Sequence, residues 1–159
     1  MVRAKNRYLV CIVDHQKSDR LEGKVSSNDV FQMLRRGLEA YFGVVGLGQT
    51  QWALALKYFD PGTRLALIRC ARDEAARVRA ALTLTSKISS ANGGSVRVRM
   101  RVVLSSGTLK APKQELYKRT KAYYSSRMGS SPRITNALTK TSLGGTAGAC
   151  LKAVAAIEP

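Results

Sequence analysis

Three arginines, Arg97, Arg99 and Arg101, stand at every second position of the stretch SVRVRMRVVLSSGTLK. A guanidinium is a permanent cation whose planar fork of donors fits a phosphate or a carboxylate. On an extended strand, alternate residues lie about 6 to 7 Å apart on one side, so the three would form a one-sided ladder for phosphates. The plainer reading is that charges on an edge strand discourage sheet-to-sheet pairing, while Val96, Val98, Met100, Val102 and Leu104 hold the strand to the core. Edge protection requires neither three arginines nor a strongly basic segment after them, and on that ground the phosphate reading is favoured.

Other chemistry-bearing side chains are sparse. His15 is the only histidine, and the ten acids are scattered without an obvious pair or a nucleophile beside a base. Cys11, Cys70 and Cys150 lack C-x-x-C spacing, which supports neither a disulfide framework nor a zinc site. Cys11 and Cys70 fall inside apolar strand patterns and are expected to be small buried hydrophobes. The glycine-rich VVGLGQT has neither phosphate-loop order nor a strand-to-helix setting, so a plain turn is expected. No catalytic site of the chain's own is expected.

The charge balance points to a polyanion. Twenty-seven Lys and Arg against ten Asp and Glu give +17 over 159 residues, beyond what surface solubility needs. After Glu74 only Glu115 and Glu158 are acidic, whereas fifteen Lys and Arg follow from Arg77 onward. No apolar run approaches the roughly 18 residues of a membrane span, and the N-terminal stretch lacks the pattern of a cleaved leader. A soluble, intracellular chain without membrane contact is expected.

The elements that must position these residues follow from periodicity. KNRYLVCIVD, with both alternate rows apolar, reads as a central strand covered on two faces. SSNDVFQMLRRGLEAYFG reads as a helix capped by serine or asparagine, with Val30, Leu34, Leu38 and Tyr41 or Phe42 as its stripe and Gly43 as its stop. QWALALKYFD reads as a strand with Trp52, Leu54, Leu56 and Tyr58 on one side, Trp52 and Tyr58 being core members. DPGT is a tight turn into the strand RLALIRC. A second helix is expected from Asp73 to about Ile88, then the arginine strand, then a third helix packing through Leu116, Thr120, Tyr123 and Tyr124. The order is that of an α/β (α+β) fold: a ferredoxin-like, RNA-recognition-motif-like split βαβ antiparallel sheet with an additional C-terminal helix. Its first and third strands would be central, and its second strand and the arginine strand would be edges. Residues 1–124 would form the RNA-binding domain and 125–159 an extension, partly ordered on partners. The third strand has no aromatic residue and the first offers only Tyr8, which argues against base stacking on the sheet and for recognition of folded RNA by backbone and shape.

MVRAKNRYLVCIV, then FGVVGLGQTQWALALKYFDPGTRLALIRCARDE, then SGTLKAPKQELYKR together resemble the Pop-type small basic subunit shared by ribonuclease P and ribonuclease MRP. The matching blocks span about residues 1–124 and are specific in combination. The resemblance implies a non-catalytic subunit of a ribonucleoprotein whose structured RNA carries out the cleavage, with Mg²⁺ on that RNA and no cofactor bound by the protein. It implies further subunits as partners, among them a TIM-barrel-type protein, a role in precursor tRNA or precursor rRNA processing, and a nuclear or nucleolar location. Matched to the blocks, Arg3, Lys5, Asn6 and Arg7 form the N-terminal basic segment, Gly107, Thr108 and Lys110 the loop into the third helix, and Arg69 and Arg72 a basic strand-to-helix stretch. Lys113, Lys118, Arg119 and Lys121 are candidates on the basic helix. The sequence after about Ser125 has no clear counterpart, and Arg97, Arg99 and Arg101 rest on their spacing alone. The alternatives are a ribosomal or other basic RNA-scaffolding protein, and an enzyme of phosphate-ester chemistry.

Overall fold

Two apolar rows run through the first strand, β1 (Asn6–His15), and each finds a cover. Leu9, Cys11 and Val13 face one side of the sheet and Tyr8, Val10 and Ile12 the other, as alternation along a strand requires. The computed structural model describes residues 5–15, 25–89, 95–129 and 137–158, and Arg3 lies outside them. Around β1 the sheet runs β2 (Ala55–Asp60), β3 (Leu65–Ala71), β1, β5 (Ser95–Ser106), β4 (Lys87–Ser89), every pairing antiparallel. Its four long strands have the order expected of a ferredoxin-like split βαβ unit, with β1 and β3 central.

The first face is covered by α1 (Ser27–Gln51) and α2 (Ala75–Leu84), which bring Val30, Leu34, Leu38, Val78 and Leu82 onto Leu9, Ile68 and Met100. Ser26 starts α1 with a reciprocal cap: its Oγ accepts from Asp29 N at 3.2 Å, and the Asp29 carboxylate accepts from Ser26 N at 2.9 Å. The chain leaves helical geometry at Gly43, where φ is 69°, the left-handed value glycine adopts at least cost.

The expected turn in VVGLGQT is instead a second helical stretch reaching Gln51. Gly46 lies against Phe42 where a Cβ would collide, and the Thr50 hydroxyl donates to Gly46 O at 2.8 Å. Gly46 thus serves close packing, whereas a Cβ on Gly48 would meet nothing within 4 Å. Trp52 therefore falls in the turn after α1 and is 67% exposed, not a core member. A register shift between Leu56 and Tyr58 further divides the expected row, sending Leu56 to the first core and half-buried Tyr58 to the second. DPGT does form the turn: Asp60 accepts from the backbone N of Gly62 and Thr63 at 3.1 and 3.0 Å.

The second helix ends at Leu84 rather than near Ile88. β-branched Thr83 and Thr85 disfavour its continuation, Thr85 is extended, and Ile88 enters the core from β4. The arginine strand is thus an edge only beyond its first residues, because β4 covers Ser95 to Arg97 and Ser86 O accepts from Val98 N at 2.9 Å.

The second face is covered by α3 (Lys110–Gly129) and α4 (Ala137–Ala155). Leu116 of α3, Val154 of α4 and Ile157 just after it bury Tyr8, Val10, Leu65 and Leu67. Part of the segment after residue 124 thus packs on the chain's own sheet, and α3 ends at Gly129, close to the end of the expected third helix. The pairing of Val10 with Leu104 and of Cys11 with Val102 leaves Val103 as an extra residue in β5. Before this bulge, Val96, Val98 and Met100 enter the first core; after it, Leu104 enters the second.

Candidate nucleic-acid interface

The sheet gathers basic residues at two places along β5. The first is where β1 begins, β3 ends and β5 passes into α3. There Arg7 pairs with Cys70, and Tyr8 lies between Arg69 and Ser106. Lys5 O accepts from Arg72 N at 2.9 Å, which ties the N-terminal segment to the end of β3. The Arg7 guanidinium lies against Gly107, in space a Cβ would occupy. Thr108 N donates to Ser106 Oγ at 3.2 Å, fixing the loop before Lys110. Lys5, Asn6, Arg7, Arg69, Arg72, Thr108 and Lys110 thus come from three separate parts of the sequence to one end of the sheet, Arg7 on the Cys70 side and Arg69 on the Tyr8 side. Arg69 Nε is buried without a hydrogen-bond partner among the described residues.

The second place is the other end of β5. Arg97, Arg99 and Arg101 are exposed and lie on the side opposite Val96, Val98 and Met100. Arg101 Nε donates to Asp14 Oδ2 at 2.8 Å, so one rung of the expected ladder already has a counter-ion. Lys87, which the sequence placed in a helix, stands directly across the ribbon from Arg97. Arg99 and Ser106 are seven residues apart on β5, about 23 Å at the usual strand rise, so the two basic places form ends of one strand.

The α3 candidates divide. Lys113 Nζ donates to Ala155 O at 3.1 Å at the end of α4, and Arg119 Nε donates to Glu115 at 2.5 Å. Lys110, Lys118 and Lys121 are exposed and fall within about a quarter-turn of one another at 3.6 residues per turn. Base stacking on the central strands is closed to Tyr8, which is 5% exposed beneath the α3–α4 layer. Burial pushes the Cys11 thiol up to about 12, with Cys70 adding to it. The Cys70 thiol is pushed up to about 11, first by burial and then by Glu74, with Arg7 opposing. Both remain neutral packing groups at neutral pH.

Sequence reasoning missed Lys87 and the pairing of Asp14 with Arg101. The first was legible in principle: Lys87 and Ser89 flank apolar Ile88, and Ala-Asn-Gly-Gly before Ser95 is a hairpin signal. The second depends on a register that no local pattern supplies.

A model of the Rpp14/Pop5 family matches residues 7–117. Ribonuclease P/MRP protein subunit POP5 of Schizosaccharomyces pombe is 28% identical over 130 residues, covering 77% of this chain and 90% of that protein. The Saccharomyces cerevisiae protein of the same name is 31% identical over 132 residues, covering 72% of this chain and 74% of that protein. A chain in the cryo-EM structure of yeast ribonuclease MRP superposes with a TM-score of 0.55 at 14% identity, over 77% of this chain and 98% of its own length, and shares the fold. The matched span runs from Arg7 into α3 and takes in both basic ends of β5, and the chain belongs to the Rpp14/Pop5 family.

Proposed function

We propose that this chain is a non-catalytic RNA-binding subunit of a ribonuclease P or MRP particle, stabilising the catalytic RNA core for removal of precursor tRNA leaders or for precursor rRNA processing. The observation that carries the reading is the pair of basic surfaces at the two ends of β5, about 23 Å apart along the strand. Such an arrangement fits two backbone segments of a folded RNA. The names of the curated relatives, subunits of ribonuclease P/MRP, support the assignment.

In this reading Mg²⁺ for cleavage sits on the RNA, and the particle works in the nucleus and nucleolus. The protein partners are other subunits of the particle, first among them a TIM-barrel-type subunit. Val44, Val45 and Trp52, 75%, 72% and 67% exposed on the second half of α1 and the turn after it, support docking onto a protein. The test is to purify the tagged chain from its own cells and sequence the RNA it retains. One abundant small structured RNA is expected, and substrate cleavage by the purified particle tells ribonuclease P from MRP. Ribosomal RNA in ribosomal proportions would replace this reading with a ribosomal scaffold. Metal-dependent cleavage by the isolated chain, lost on replacing an acidic residue, would make it an enzyme.

A further inference from the structure

We propose that the phosphate-contacting set on the open side of the β4–β5 ribbon is Lys87, Arg97 and Arg99, and that Asp14 keeps Arg101 out of it. The inference rests on the RNA-binding reading and specifies which side chains of this face serve it.

Cross-strand partners share a side of the sheet, with Cβ atoms about 4.5 to 5.5 Å apart. Lys87 and Arg97 are such partners, and Ile88 between Lys87 and Ser89 points into the core. Lys87 therefore stands on the same outer side as Arg97. Both are exposed, and among the described residues neither makes an ion pair. Like charges set directly opposite each other destabilise a sheet, and a phosphate oxygen between them turns that repulsion into two charge-assisted hydrogen bonds. Arg99 continues the row from Arg97 on the same side and likewise makes no ion pair among the described residues.

Arg101 differs. Asp14 stands opposite Arg99, yet its carboxylate accepts from Arg101 Nε at 2.8 Å, and the two side chains are 54% and 39% exposed. A phosphate approaching Arg101 meets a carboxylate of its own sign. The pair is neutral as a unit, so while it persists it neutralises no RNA phosphate and releases no counter-ion. The useful cations thus move one rung outward from the arginine ladder and onto β4.

The test measures binding of full-length variants to unfractionated transfer RNA from about 50 to about 300 mM salt, with circular dichroism and thermal unfolding to establish that each is folded. K87Q and R97Q are each expected to flatten log affinity against log salt by about 0.7 to 0.9, the value for one lost phosphate contact. K87R should restore the slope. The D14N/R101Q double variant, which removes the neutral pair as a unit, should leave it unchanged. D14N should tighten binding and steepen the slope by freeing Arg101, and that gain should vanish in the D14N/R101Q double variant. A flattened slope in D14N/R101Q equal to that of R97Q, with K87Q unchanged, would overturn the inference while leaving RNA binding intact. Unchanged slopes in all variants would overturn it too, placing the RNA elsewhere on the chain. Absence of transfer RNA binding by the wild-type protein at the lowest salt would overturn the RNA-binding reading and this inference with it.

Discussion

Arg7 and Gly107 meet through space across a hundred residues of sequence, the guanidinium resting where any larger residue would put its Cβ. Only the flexible end of a long side chain is in the way, so Gly107→Ala should leave stability nearly unchanged while displacing Arg7. RNA affinity should then fall roughly three- to tenfold, the scale of one weakened charge-assisted hydrogen bond. Titration of RNA with Gly107→Ala, Arg7→Ala and the double variant checks this: the double should be no weaker than Arg7→Ala alone. An additive loss would mean that Gly107 acts independently of Arg7. At this scale the sequence was informative about charge and poor about pairing. Lys5, Arg7, Arg69 and Arg72 could be named because they fall in the blocks that resemble the ribonuclease P and MRP subunit. That Arg101 is neutralised by Asp14 and Lys113 engaged by Ala155 depends on distances between elements, whereas the Glu115–Arg119 pair is an i,i+4 spacing within α3.

The contact between α1 and α2 depends on one small residue. A Cβ on Gly37 would strike the Thr85 hydroxyl, which is itself held by donation to Ala81 O at 2.7 Å. Gly37→Ala should therefore destabilise the fold by about 1 kcal/mol, an overpacking cost of about 1–3 kcal/mol less the helical preference for alanine of about 1 kcal/mol. Adding Thr85→Ala should remove the clash and recover most of the loss, as urea denaturation of the two variants measures. A double variant no more stable than Gly37→Ala would locate the strain elsewhere. The elements with strong periodicity were legible: both rows of β1, the Val30-Leu34-Leu38 stripe, the DPGT turn and the serine cap all stand where the pattern put them. The misread stretches are those where packing overrode local preference. Gly46 read as part of a turn but lies in a helix against Phe42, and Lys87 and Ile88 left a helical pattern because Arg97 and Val96 offered a strand to pair with.

For the molecule as a whole, a sheet apolar on both sides has been closed within one chain. α4 completes the second core through Val154 and Ile157, and the Cys150 thiol lies 3.5 Å from both the Tyr124 hydroxyl and the Asp60 carboxylate. Val154→Asp places a carboxylate in that core and should cost about 3 kcal/mol or more. It should also expose Tyr8 and Leu67, read as a lowered thermal midpoint and as dye binding to apolar surface. An unchanged midpoint would mean that α4 contributes little to the fold. Closure over the central strands also bears on where RNA can lie, since it leaves the rim of the sheet, at Arg7 and on the uncovered side of the β4–β5 ribbon, as the accessible part. The extra residue at Val103 sets the phase of that rim. Alternation along a strand has a period of two, so one residue more or fewer between Arg101 and Leu104 exchanges inside for outside on one side of the insertion. Either three guanidinium groups would turn toward the α1–α2 core, or Leu104 would leave the core beneath α3. The alternation frame thus constrains this segment more tightly than the identity of any one residue: a change of two residues in length would preserve the parity that a change of one destroys.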